Sequence, residues 1–206
     1  MLRGMQQWVG YRQDAFGDSI AVWNDGPDFE LLRVRWIADP AFVEAMLAHG
    51  LVARDPLAAE ALTHLDLDQD ARERFSRVLR ACLDTESIGF RLRAVQALHV
   101  LTSDESWAAE VVRVLLGAGF WADRMEAARV IGQFSATCPL IRALAQAIED
   151  PDHLVRRQAA TTLLHFAGLD ADDALLAAIG SESDAQRRAA AARRLADRAT
   201  TLAQAR

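Results

Sequence analysis

Lysine is absent from the 206 residues, so all 23 basic side chains are arginine. That excludes Schiff-base and pyridoxal-phosphate chemistry at a lysine, and the lysine of a Walker-type phosphate loop. Arginine-only usage fits GC-rich coding and a bacterial source. Cysteine is nearly absent: Cys82 and Cys138 stand far apart without metal-ligand spacing, as expected of free thiols in a reducing cytoplasm. Long apolar runs are missing. The longest, Val114 to Ala122, is far too short to span a bilayer. Met1-Leu2-Arg3-Gly4-Met5 is followed by no apolar stretch and cleavage site, so no secretory signal and a cytoplasmic location are expected. No GxSxG and no HExxH occurs, and His49, His64, His99, His153 and His165 form no paired His-Glu motif. No catalytic residue, cofactor or metal site is therefore expected. The formal net charge of −6 disfavours a nucleic-acid backbone as ligand unless the arginines gather on one face.

What is present is helix-forming residue in a repeating order. Alanine and leucine dominate, and only 5 prolines and 11 glycines interrupt them. The clearest unit runs from Leu140 to Gly168. Leu140, Ile141, Leu144 and Ile148 recur at helical spacing. Asp150-Pro151-Asp152 then stops one helix and starts another. Val155, Ala159, Leu163 and Phe166 share one face of the second helix, and Gly168 suits its C-terminal cap. The second-helix pattern, arginine followed by alanine and then Leu or Ile, recurs four times. Its copies are Arg91-Ala94-Leu98, Arg124-Ala127-Ile131, Arg156-Ala159-Leu163 and Arg188-Ala191-Leu195. A period of about 32 residues marks a two-helix solenoid, in which the alanine lets helices approach and the larger residue fills the shared core.

These residues, and above all AIEDPDHLVRRQAATTLL, resemble the HEAT repeat family in its short bacterial form, also called PBS-lyase HEAT-like repeats. The resemblance is strongest over residues 71–198 and implies an all-α, right-handed α-solenoid of about five to six two-helix repeats spanning residues 1–206 as one array. Pro40 to Gly50 and Pro56 to Leu65 read as a further helix pair, each opened by an Asp-Pro signal. Residues 1–38 are ambiguous. SIAVW and FELLRVRW could form a β-hairpin about Asp25-Gly26, or the segment could be a degenerate repeat with Leu32-Arg33 in the arginine slot. The helical version is favoured because the array continues directly from it. Residues 183–206 carry a thin apolar stripe of Ala191, Leu195, Ala199 and Leu202, as a C-terminal capping helix would.

The family resemblance further implies that each ladder arginine pairs with an acidic residue about one turn earlier, often across repeats. Asp150 precedes Arg156 by six positions, Glu182 precedes Arg188 by six and Asp84 precedes Arg91 by seven. Arg91, Arg156 and Arg188, with Asp150 and Glu182, are thus expected to form a structural ladder. Arg124 has Ala118 in the matching place, so it is expected to be freer to bind. Trp121 lies three residues before it, in the expected turn. Together they are the candidate partner-binding residues, a tryptophan–arginine pair being a common composition for a binding hot spot. Core packing is the alternative for Trp121, and a carboxylate such as Glu126 or Asp123 the alternative partner for Arg124. Trp8, Trp23 and Trp36 crowd the N-terminal region, and Trp107 follows a helix-capping stretch.

The expected function is a non-enzymatic protein- or peptide-binding module, such as an adaptor, assembly factor or immunity-type binder. Two alternatives remain. Alkylpurine DNA glycosylases are built from HEAT-like repeats and use Trp, Asp and Arg in a cleft, as Trp121, Asp123 and Arg124 could. The repeat name also suggests a bilin lyase-related chromophore-handling protein.

Overall fold

The structure, a computed structural model, describes residues 2–16, 27–169, 179 and 185–205. The chain is all-α: the described residues hold eleven α-helices and no strand. They fall into two compact units, Met1–Asp104 and Glu105–Arg206. No helix among the described residues is long and apolar enough to cross a membrane.

The first unit contains α1 (Leu2–Phe16), α2 (Phe29–Ala38), α3 (Pro40–Val52), α4 (Pro56–Ala61), α5 (Gln69–Cys82) and α6 (Ile88–Thr102). The starts of α2 to α6 follow from short polar side chains that accept an orphan backbone N–H of the first turn. Asp28 receives Leu31 N, Asp39 receives Phe42 N, Asp55 receives Leu57 N, Asp68 receives Ala71 N and Ser87 receives Phe90 N. Pro40 and Pro56 each open a helix where no N–H is required. FELLRVRW lies within α2, and the SIAVW arm of the hairpin alternative lies outside the described residues. Packing follows solenoid order within the unit: α3 lies against α4 and α5, and α4 lies against α6. The core is filled by Trp8, Phe16, Leu47, Leu51, Phe75, Leu79, Phe90 and Leu98. Trp8 Nε1 and Arg12 Nε both donate to Asp55 Oδ2 at 2.9 Å, so the residue that caps α4 also anchors α1.

The second unit contains α7 (Ala108–Gly117), α8 (Trp121–Ile131), α9 (Cys138–Ala147), α10 (His153–Phe166) and α11 (Ala185–Gln204). Helix α7 packs on α8 and α9, α8 on α10, and α11 covers α9 and α10. Ala127, Ile131, Ala159 and Leu163 are fully buried, which places the repeated alanine and its larger partner in the core. In α11 the register turns slightly. Ala192, Leu195 and Ala199 are buried, whereas Ala191 and Leu202 are half-exposed. Helix α10 ends with Gly168 at φ +62°, Gly168 N on His165 O and Leu169 N on Leu164 O. That is the paired closure a left-handed glycine permits at a helix end.

Candidate interaction surface

Arg91, Arg124 and Arg156 each donate to backbone carbonyls of the turn before their own helix. Arg124 Nη1 donates to Ala118 O at 2.8 Å and Gly119 O at 3.0 Å. Arg156 Nη1 donates to Asp150 O and Pro151 O, each at 2.9 Å. Arg91 Nη2 donates to Thr85 O. These acceptors stand five or six residues before each arginine. Helix-terminal and turn carbonyls lack intrahelical partners, and a guanidinium fork can take two of them. Arg188 also makes polar interactions, while Glu182 lies outside the described residues.

The carboxylate of Asp150 does not serve Arg156 as the spacing implied. It turns back one repeat to Arg124, with Nε to Oδ2 at 2.7 Å and Nη2 to Oδ1 at 2.9 Å. The expectation that Arg124 is freer to bind is therefore wrong. Its side chain is only 13% exposed and makes four hydrogen bonds, and neither Asp123 nor Glu126 is the partner. Glu126 is held instead by Arg129. The physical reason is that acceptors on a neighbouring repeat and on the backbone carry no mark at the position six residues upstream. Asp150 is also a hub for Asp152 N, at 2.8 Å on Oδ1. Burial pushes its carboxyl up, but the Arg124 fork, the Asp152 N–H and the charges of Arg124 and Arg156 outweigh burial and hold it below the ordinary value. Asp123 is raised by burial.

The Arg124 clamp fixes the α7–α8 corner, and the corner presents apolar surface. Trp121 is the first residue of α8 rather than part of the turn, and it is 36% exposed. Phe120, which the sequence reading passed over, is 59% exposed, and Leu116 is 44% exposed. The Phe120 and Trp121 rings lie 5.6 Å apart. Gly117 and Gly119 flank the turn, and the signal for Phe120 was present as the aromatic pair directly after this glycine-rich stretch. Beside it lies a depression of about 530 Å³ lined by Leu115, Leu116, Gly119, Gln146, Glu149 and Pro151, among others. Glu149 is exposed at its rim, whereas Arg124 and Asp150 in its wall are neutralised by each other.

The other tryptophans differ. Trp8 is core, Trp36 and Trp107 are half-buried, and Trp23 lies outside the described residues. Among the described residues, no group of three or more His, Cys, Asp or Glu side chains is placed to hold a metal ion. His99 Nδ1 lies 3.4 Å from Asp104 O, and His64 stacks on Phe29 with centroids 3.8 Å apart.

Residues 108–196 match the family model for HEAT repeats. No curated protein and no solved structure matches the chain.

Proposed function

We propose, on the premise that residues 108–196 match the family model for HEAT repeats, that the protein is a non-enzymatic binding module whose protein or peptide partner docks on the α7–α8 corner. The observation that carries the proposal is the exposed Phe120–Trp121 pair on a turn locked by Arg124. Exposed aromatics on a rigid turn offer large contact area at little ordering cost. The adjoining depression, lined by Leu115, Leu116 and Pro151 together with polar side chains, has room for a partner side chain, and Glu149 at its rim favours a basic neighbour in the partner. Arg124 contributes by holding the corner, since its donors are occupied by Asp150 and two carbonyls.

The test uses peptides selected from a random display library for binding to the full chain. Phe120→Ala with Trp121→Ala should weaken the selected peptides by at least about 2 kcal/mol, roughly 30-fold, with the melting temperature nearly unchanged. Full affinity in the double variant would reject this surface as the binding site.

A further inference from the structure

A second depression, of about 630 Å³, lies on the first unit and has a different chemistry. One face of α5 lines it with Gln69, Arg72, Glu73, Ser76, Arg77 and Arg80, and the end of α6 closes it with Leu101, Thr102 and Ser103. In a protein of net charge −6 this patch carries three arginines against one glutamate. Glu73 is engaged by Gln69 Nε2 at 3.0 Å, and Arg72 Nε donates to Leu67 O at 3.0 Å. Among the described residues, the side chains of Arg77 and Arg80 have no hydrogen-bond or ion-pair partner, and both residues are exposed.

The independent observation is Ser76. It is 3% exposed, and its Oγ is buried without a partner among the described residues. Hydroxyls inside helices ordinarily satisfy themselves on the carbonyl four residues back. Thr102 does so on Leu98 O at 2.6 Å, Thr161 on Arg157 O at 3.0 Å and Thr201 on Asp197 O at 2.9 Å. Ser76 does not. Alanine would fill the same space, favour the helix more and leave nothing unsatisfied. The hydroxyl stands between Arg72 and Arg80 in a column of i, i+4 and i+8, each step about 6 Å along the axis, with Arg77 beside it. Two flexible guanidiniums can therefore converge on a group placed over Ser76.

We propose that this pocket binds a phosphate group. The net charge of about +2 from three arginines and one glutamate matches the −1.5 to −2 of a phosphomonoester. The guanidinium donors outnumber what a carboxylate can accept and suit three phosphate oxygens. A phosphate drawn in by the arginines would have to displace the side chains that cover the Ser76 hydroxyl, which then offers its unpaired donor to one oxygen. The phosphate arrives either on a small molecule or on a phosphorylated side chain, and the two are separable by experiment.

The full chain is titrated with inorganic phosphate and, separately, with a phosphoserine peptide at constant ionic strength, followed by calorimetry. Saturable binding is expected. Arg77→Gln and Arg80→Gln should each weaken it about 10-fold and Ser76→Ala at least about 3-fold, while the exposed Arg157→Gln on α10 changes it less than about 2-fold. A peptide bound more tightly than inorganic phosphate identifies a phosphorylated chain as the source, and equal affinities identify the free anion. Absence of saturation overturns the proposal. So does an equal loss in Arg157→Gln and Arg80→Gln, which would show only diffuse charge attraction. Melting curves of Ser76→Ala and Arg80→Gln verify that the fold is intact.

Discussion

Arg124 and Asp150, 26 residues apart, meet as a two-pronged ion pair across consecutive repeats, at 2.7 and 2.9 Å. Side-chain exposures of 13% and 9% place the pair largely out of water, where removing one partner strands the other. The same guanidinium holds Ala118 O and Gly119 O. A lysine could reach one oxygen as a point charge but could not reproduce four directed bonds. Arg124→Lys should therefore destabilise the protein by about 2 kcal/mol and Arg124→Ala by about 3 kcal/mol. Urea denaturation measures both, and a midpoint shared by Arg124→Lys and the native protein would refute the fork.

The pair also sets an acid limit. Asp150 is held below the ordinary carboxylate value in the folded chain, so the unfolded chain binds its proton more readily. Its stabilisation is complete above the unfolded value near about 4 and is lost as pH falls through the lower folded value. The stability gap between the native protein and Asp150→Asn should thus be constant near neutrality and narrow in acid below about pH 4. A gap that stays constant through that range would mean the carboxylate's charge is not what stabilises the corner.

Gly50 makes a comparable demand in the first unit. A Cβ built there would lie 2.6 Å from Ala58 Cβ and 2.7 and 2.8 Å from the Trp8 ring. Trp8 is pinned by its bond to Asp55 and cannot easily yield. Although alanine is the better helix former, Gly50→Ala should cost about 3 kcal/mol by overpacking. Thermal melting checks it. An unchanged or higher melting temperature would show that α1 can move away from α3.

The helical pattern was legible because apolar periodicity reports which face is buried. The arginine, alanine and Leu/Ile positions recur since each repeat meets its neighbour in the same way. The partners of the arginines were not legible. A carbonyl acceptor is present at every residue, so Ala118 serves Arg124 as well as Asp150 serves Arg156. The sequence-specific partner of Arg124, the Asp150 carboxylate, belongs to the next repeat. Phe120 was legible only through the glycines before it: it sits in a continuous apolar run, and the chain reversal at Gly117 to Gly119 is what turns it outward. The phosphate pocket was hidden because its arginines look like an ordinary solvated helix face, and nothing in the sequence distinguishes a satisfied serine from Ser76.

Alanine at the repeated position gives the sharpest comparison of register. Ala159 is fully buried, in α10, which packs against α8 and α9, whereas Ala191 occupies the corresponding place in α11 and is half-exposed. The added volume of leucine at Ala159 must displace packed neighbours, at a cost of about 1–3 kcal/mol. At Ala191 much of the same side chain can reach solvent, and leucine is nearly as good a helix former as alanine. Ala159→Leu should therefore lower the melting temperature clearly, while Ala191→Leu leaves it nearly unchanged. Equal losses would mean that α11 packs its arginine-alanine face as the internal helices do. Tolerance at Ala159 would mean that α10 can slide on its neighbours and that the alanine does not set their separation.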